Sequence, residues 1–97
     1  MNIVWTVPAA RDFDEIWQRL DDVDPAAAAR VGAALLGAVD GLAVHPRRGR
    51  PGRVPDTREL TVRALPYLIV YEVDERRVAI LRIIHGAMLW PPAPASS

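Results

Sequence analysis

Tyr67-Leu68-Ile69-Val70-Tyr71-Glu72-Val73, then Asp74-Glu75-Arg76-Arg77, then Val78-Ala79-Ile80-Leu81-Arg82-Ile83-Ile84-His85: this stretch decides the fold. Two runs rich in Val, Ile and Tyr flank four polar residues, the pattern of a β-hairpin. The first run is apolar at odd and even positions alike, as a strand covered on both faces must be. The second is broken only by Arg82 and stops at His85-Gly86. Upstream, residues 58–64 alternate, with Leu60, Val62 and Ala64 on one side and Glu59, Thr61 and Arg63 on the other. That period of two predicts a further strand, with Leu65-Pro66 as the intervening turn.

Residues 46–57 hold three Pro, two Gly and four Arg, which predicts a loop. Before it the periodicity changes. Asp24-Pro25 reads as an N-cap followed by proline at the first helical position, and Ala28, Val31, Leu35, Val39 and Leu42 make one apolar face up to about Val44, where His45-Pro46 ends the helix. Phe13, Ile16, Trp17 and Leu20 form an earlier stripe that starts near Thr6 and Pro8, with Asp12, Asp14 and Glu15 placed to favour the helix dipole. Small residues such as Ala27, Gly32 and Ala38 let the two helices approach as a hairpin. Residues 2–6 are β-branched and aromatic, a first strand. The order is β-α-α-β-β-β, which predicts a two-layer α+β domain over residues 1–90: an antiparallel sheet packed on an α-helical hairpin. Residues 91–97, rich in Pro, Ala and Ser, read as a disordered tail.

A chain of 97 residues makes one domain of modest stability, and a tight partner raises that stability by mass action. Cysteine is absent, which excludes disulfides, thiolate nucleophiles and cysteine metal sites, and no metal or cofactor motif is present. The N-terminus shows no signal-peptide pattern and residues 26–44 are too weakly apolar to span a bilayer, so the expectation is a cytoplasmic protein with no membrane partner. Net charge is zero, yet residues 1–45 hold three Arg against seven acids, and residues 46–97 nine Arg against five. The basic half invites an acidic partner, unless the two halves simply lie against each other. Every cation is arginine. Arginine clamps phosphates and carboxylates but cannot shuttle protons, so acid–base chemistry would fall to the histidines, carboxylates or tyrosines.

The element order, together with Gly49-Arg50-Pro51-Gly52-Arg53-Val54, Thr57-Arg58-Glu59-Leu60, Pro66-Tyr67-Leu68-Ile69-Val70-Tyr71 and Ile80-Leu81-Arg82-Ile83-Ile84-His85-Gly86, resembles the RelE/ParE superfamily of toxins (plasmid-stabilisation type) over nearly the whole chain. The resemblance implies the growth-inhibiting toxin of a type II toxin–antitoxin system, neutralised by a small cognate antitoxin that binds operator DNA through its own domain. It implies one of two targets: DNA gyrase, as in ParE-like members, or mRNA in the ribosome, as in RelE-like endoribonucleases. A third reading is a partner-binding module that has lost its activity.

RNA cleavage by a 2′-hydroxyl needs a base, an acid and cations on the phosphate. By resemblance, His85 matches a histidine that serves as acid or base in RNase members, and Arg63 the position that contacts the scissile phosphate. His85 reads equally as a partly buried histidine hydrogen-bonded near the tail, and Arg63 as a surface ion-pair partner. Strand alternation points Arg82 and His85 to opposite faces unless a bulge intervenes. The lysines of RelE-type sites are missing, as are the arginine and tyrosine that should follow the last strand, where Ala87-Met88-Leu89-Trp90 stands instead. These departures favour a ParE-like, gyrase-directed member or a catalytically weak one. Arg50, Arg53, Arg58, Glu59, Arg63 and Arg82 are the candidate contacts to antitoxin or target, and Arg58, Arg63 and Arg82 are expected to lie together under the antitoxin. Glu59 otherwise reads as a cross-strand ion pair. Trp90 is a core plug or a surface aromatic, and at least one of Tyr67 and Tyr71 belongs to the core.

Overall fold

The computed structural model describes residues 1–86 with Trp90 and Pro91. The order along the chain is β1 (Asn2–Trp5), α1 (Val7–Asp21), α2 (Pro25–Gly41), β2 (Arg50–Pro51), β3 (Arg58–Thr61), β4 (Tyr67–Val73) and β5 (Arg77–His85). The five strands form one sheet ordered β1-β5-β4-β3-β2. The α+β class, the helical hairpin and the predicted strands are all present. One feature differs. β1 pairs with β5 in parallel, from Asn2 opposite Arg77 to Trp5 opposite Ile80, so the sheet is mixed rather than antiparallel throughout. Two helices between β1 and the rest of the sheet provide the crossover that a parallel neighbour needs.

Thr6 caps α1: its backbone is extended and its hydroxyl accepts from the Ala9 amide. The same hydroxyl donates to the carbonyls of Ile80 (2.7 Å) and Leu81 (3.2 Å), so the cap also fastens α1 to β5. Asp12, Asp14 and Glu15 lie beyond the first turn, which contains no acid, so the dipole argument does not account for them. Asp24 caps α2 through Ala26 and Ala27 as its sequence predicts, but the helix stops at Gly41 and residues 42–44 continue only as turns. β3 stops at Thr61 rather than Ala64, because the chain turns at Ala64 in the left-handed region (φ 64°). The loop over residues 46–57 contains the two-residue strand β2, which its composition conceals. Pro51 is tolerated there because β2 is an edge. Residues 92–97, most of the predicted tail, lie outside the described residues.

The main core lies between helices and sheet. Ile16, Leu35, Val39 and Leu42 meet Ile69, Tyr71, Val78, Ile80 and Ile83 there. A smaller cluster of Leu68, Val70 and Ile84, with Leu81 and Trp90 against it, occupies the opposite face, which explains why β4 is apolar on both sides. The change of face along β5 comes from a bulge: Val70 pairs with Arg82 but Tyr71 with Ile80, leaving Leu81 as the extra residue.

Gly32 permits the helical contact. A Cβ there would collide with the Trp17 ring of α1, itself in a tilted contact with Phe13 at 6.3 Å. Gly32→Ala should therefore lower stability by about 1–3 kcal/mol through overpacking, despite alanine's better helix propensity. Urea unfolding monitored by tryptophan fluorescence measures this; an unchanged or raised midpoint would show that the contact is not tight.

Candidate functional site

The sheet face turned away from the helices collects most of the candidate residues. β2 and β3 bring Arg50 directly opposite Glu59. Glu59 is only 2% exposed, and its carboxylate accepts from Arg50 Nη2 at 3.1 Å and from the Arg53 amide at 2.9 Å, with Arg53 Nε at 3.7 Å. Burial acts to raise the Glu59 pKa, but the Arg53 amide, the Arg50 hydrogen bond and both guanidinium charges outweigh it and hold the carboxyl below its ordinary value. The expected cross-strand pair is thus extended by a third partner.

Further along the same face, Arg53 Nη1 donates to the Trp90 carbonyl at 3.3 Å. Trp90 is half-buried against the Leu68–Val70–Ile84 cluster, and the Arg82 guanidinium carbon lies 5.7 Å from its ring centroid, within cation–π range. Trp90 is therefore a plug on the open sheet face, away from the main core. Its indole Nε1 is buried with no hydrogen-bond partner among the described residues.

Arg82 does not offer an unbalanced charge. β1 ends opposite Ile80, so the edge of β5 beyond it carries no strand. Asp12 of α1 fills that gap: Oδ2 accepts from Arg82 Nε at 2.6 Å and from the Ile83 amide at 2.9 Å, while Oδ1 accepts from Arg82 Nη2 at 3.1 Å. The hydrogen bond to Asp12, then the charges of Asp12 and Glu15, raise the Arg82 pKa against the opposing effect of burial.

The expectation that Arg58, Arg63 and Arg82 share one surface fails. Arg58 pairs with Tyr71 in the row that faces the helices and donates Nη1 to the carbonyls of Gly49 (2.8 Å) and Arg47 (3.3 Å). Arg63 is exposed in the turn after β3, because that strand ends before reaching it. The three arginines thus reach three different surroundings. His85 is exposed at the end of β5 opposite Tyr67, the two rings edge-on at 5.9 Å, in the helix-side row of Tyr67, Ile69 and Tyr71. Arg82, opposite Val70, belongs to the other row; the bulge precedes Arg82 and does not intervene between it and His85. His85 and the Arg63 turn lie at the same end of the sheet, since the Val62 amide bonds to the Tyr67 carbonyl and the Gly86 amide to that of Pro66.

Tyr71 is the fully buried tyrosine, and its hydroxyl accepts from the Gly49 amide at 2.8 Å. Burial, partly offset by that bond and by Arg58, pushes its phenol pKa up, so it carries no proton traffic near neutrality. Gly49 must be glycine: a Cβ would lie 2.6 Å from the Tyr71 hydroxyl and 2.9 Å from the Glu59 carbonyl. Sequence reasoning missed Asp12 and Gly49; an acid at mid-helix facing the apolar stripe, and a glycine inside an arginine run, were the available signals. Among the described residues no three His, Asp or Glu side chains converge as a metal site, and no helix is long and apolar enough to cross a membrane.

A mixed five-strand sheet carrying a β1-α1-α2 crossover on one face and arginine–carboxylate pairs on the other places the chain in a class of small two-layer α+β domains. Comparison with known proteins narrows the class. Residues 3–90 match the family model for the ParE toxin of the type II toxin–antitoxin system parDE. The chain is 47% identical over 90 residues to Y4kP of Sinorhizobium fredii, designated a toxin candidate, covering 93% of each protein. It is 40% identical over 88 residues to the toxin RelE2 of Caulobacter vibrioides, covering 91% of this chain and 98% of that one. Among solved structures it is similar to a chain of the chromosomal ParDE system of P. aeruginosa, with a TM-score of 0.78, 30% identity, and coverage of 88% and 95%. It is also similar to a chain of the toxin–antitoxin complex RelBE2 of Mycobacterium tuberculosis, with a TM-score of 0.62, 27% identity, and coverage of 87% and 95%. The chain belongs to the ParE toxin family of type II toxin–antitoxin systems.

The Glu59 cluster has a pH signature. A carboxyl whose pKa is lower folded than unfolded contributes stability that is complete above its unfolded value and disappears as pH falls through the folded one. Glu59→Gln should cost about 1 kcal/mol near neutral pH, and the deficit should shrink as the pH falls through and below the ordinary carboxylate range. Thermal unfolding of both chains across that range tests it; parallel curves would show that Glu59 does not titrate with folding.

Proposed function

We propose that this toxin acts on DNA gyrase rather than on ribosome-bound mRNA, and that a cognate antitoxin restrains it by covering the open sheet face around Arg50, Arg53, Glu59 and Arg82. The observation that supports the gyrase reading is the division of the candidate groups. Cleaving RNA requires a proton-transfer group and unneutralised cations around one phosphate. Among the described residues, His85 lies in the helix-side row, whereas Arg50, Arg53 and Arg82 lie on the other side and are engaged by Glu59 and Asp12. A protein surface of paired charges suits recognition of another protein, where ion pairs fix register and partner choice.

The antitoxin partner is supported by the two structural relatives, both from toxin–antitoxin systems. Operator DNA is contacted only through the antitoxin in this reading. The nuclease alternative draws on one observation: His85 and Arg63 share an end of the sheet.

Purified toxin should inhibit gyrase supercoiling and leave ribosome-bound transcripts intact, and His85→Ala should retain growth arrest with DNA-damage induction. Cleavage of mRNA in the ribosome that is lost in both His85→Ala and Arg63→Ala would replace this reading with the nuclease. Normal growth of cells expressing the chain without an antitoxin would replace it with an inactive binding module.

A further inference from the structure

The arginines divide into those with a carboxylate partner and those without. Arg50, Arg53, Arg77 and Arg82 each meet Asp or Glu. Arg47 and Arg48 make no side-chain hydrogen bond or ion pair to the described residues, and Arg58 donates only to carbonyl oxygens. These three gather where the end of α2 runs into β2. There Val44, His45, Pro46, Arg47 and Arg48 line a shallow groove of about 560 Å³. On its other side Arg47, with Arg58 and Asp56, borders a second pocket of about 310 Å³. Val44, 74% exposed, lines this groove together with Arg47 and Arg48, neither of which has a carboxylate partner among the described residues. The Arg48 head lies about 4.0 Å from where a Cβ on Gly41 would stand, at the last turn of α2. That turn has no basic residue of its own, so the Arg48 guanidinium is the cation nearest the negative end of the α2 dipole among those lining the groove.

We propose that this corner docks an acidic peptide segment, seating one apolar side chain on Val44 and Pro46 and placing flanking carboxylates on Arg47 and Arg48. The occupant follows from the chemistry of the walls. An exposed apolar side chain in one groove with two cations that lack carboxylate partners matches a segment carrying both acidic and apolar side chains, and Arg forks a carboxylate with two parallel hydrogen bonds. Nucleic acid fits less well: among the described residues the groove offers a base only the His45 imidazole to stack on, and Asp56 at the neighbouring pocket opposes a continuous run of phosphates. The site is separate from the open sheet face and from the choice of cellular target, so it stands or falls independently of the gyrase reading.

A fluorescein-labelled peptide of alternating Glu and Leu provides the probe, with a Glu/Gly peptide and a single-stranded RNA oligonucleotide as comparators. Anisotropy titration of the full chain should show the Glu/Leu peptide binding at least about tenfold more tightly than either comparator, weakening with salt. Val44→Asp, and Arg47→Ala combined with Arg48→Ala, should each reduce that affinity about tenfold or more while leaving the unfolding midpoint unchanged, since all three side chains are exposed. RNA binding as tight as the peptide, or peptide affinity indifferent to both variants, would overturn the proposal. So would self-association abolished by the same substitutions, which would make the occupant a second copy.

Discussion

The Asp12 carboxylate joins the two layers of this protein at the point where neither layer could close alone. The parallel pairing of β1 ends at Ile80, and from there β5 would present an open edge with unpaired backbone groups. Asp12 takes the Ile83 amide and both nitrogens of an Arg82 fork, and Thr6 takes care of the Ile80 and Leu81 carbonyls. Both partners are largely shielded, with Asp12 at 13% and Arg82 at 30% side-chain exposure. Removing the acid would leave a part-buried cation and a bare amide, so the pair resembles a rivet more than a surface salt bridge. The bulge at Leu81 follows from the same arrangement, because it turns the end of β5 so that Ile83 faces the helices and Ile84 does not.

A second consequence is the unequal character of the two sheet faces. The helix side is filled by branched aliphatics, with Tyr71 pinned to Gly49. The other side holds a small apolar patch bordered by Arg50–Glu59–Arg53 and by Arg82, with Trp90 set between them. Charged pairs at the margin of an apolar patch are the ordinary anatomy of a protein-binding surface. The buried indole N–H of Trp90 has no acceptor among the described residues, the kind of imbalance that a stable core avoids and a recognition surface tolerates.

Much of the fold was legible because its signals are local. Asp24-Pro25, the stripe Phe13-Ile16-Trp17-Leu20 and the doubly apolar run of β4 each announce an element through neighbours a few residues apart. What eluded the sequence involves long separations. The direction of β1 depends on a partner some 75 positions away in the register, and nothing within Asn2-Ile3-Val4-Trp5 encodes it. β2 is visible only once Glu59 stands opposite Arg50. The same distinction governs the site. Alternation correctly separated Arg82 from His85, whereas the grouping of Arg58, Arg63 and Arg82 failed because β3 ends early at a left-handed Ala64 and because Asp12 captures Arg82. Family likeness, resting on the order of many weak motifs, survived these local errors.

The strand order β1-β5-β4-β3-β2 also bears on how the chain comes into being. β5, which lies between β1 and β4 in the finished sheet, is translated after every other strand described, and β1 has no neighbour until it arrives. A ribosome-bound fragment lacking β5 can form its helical hairpin but cannot close the sheet, since contacts so distant in sequence form only when both ends are present. The sheet is therefore completed only once β5 has been made, and the face bearing Arg50, Glu59 and Arg82 does not exist as one surface before then.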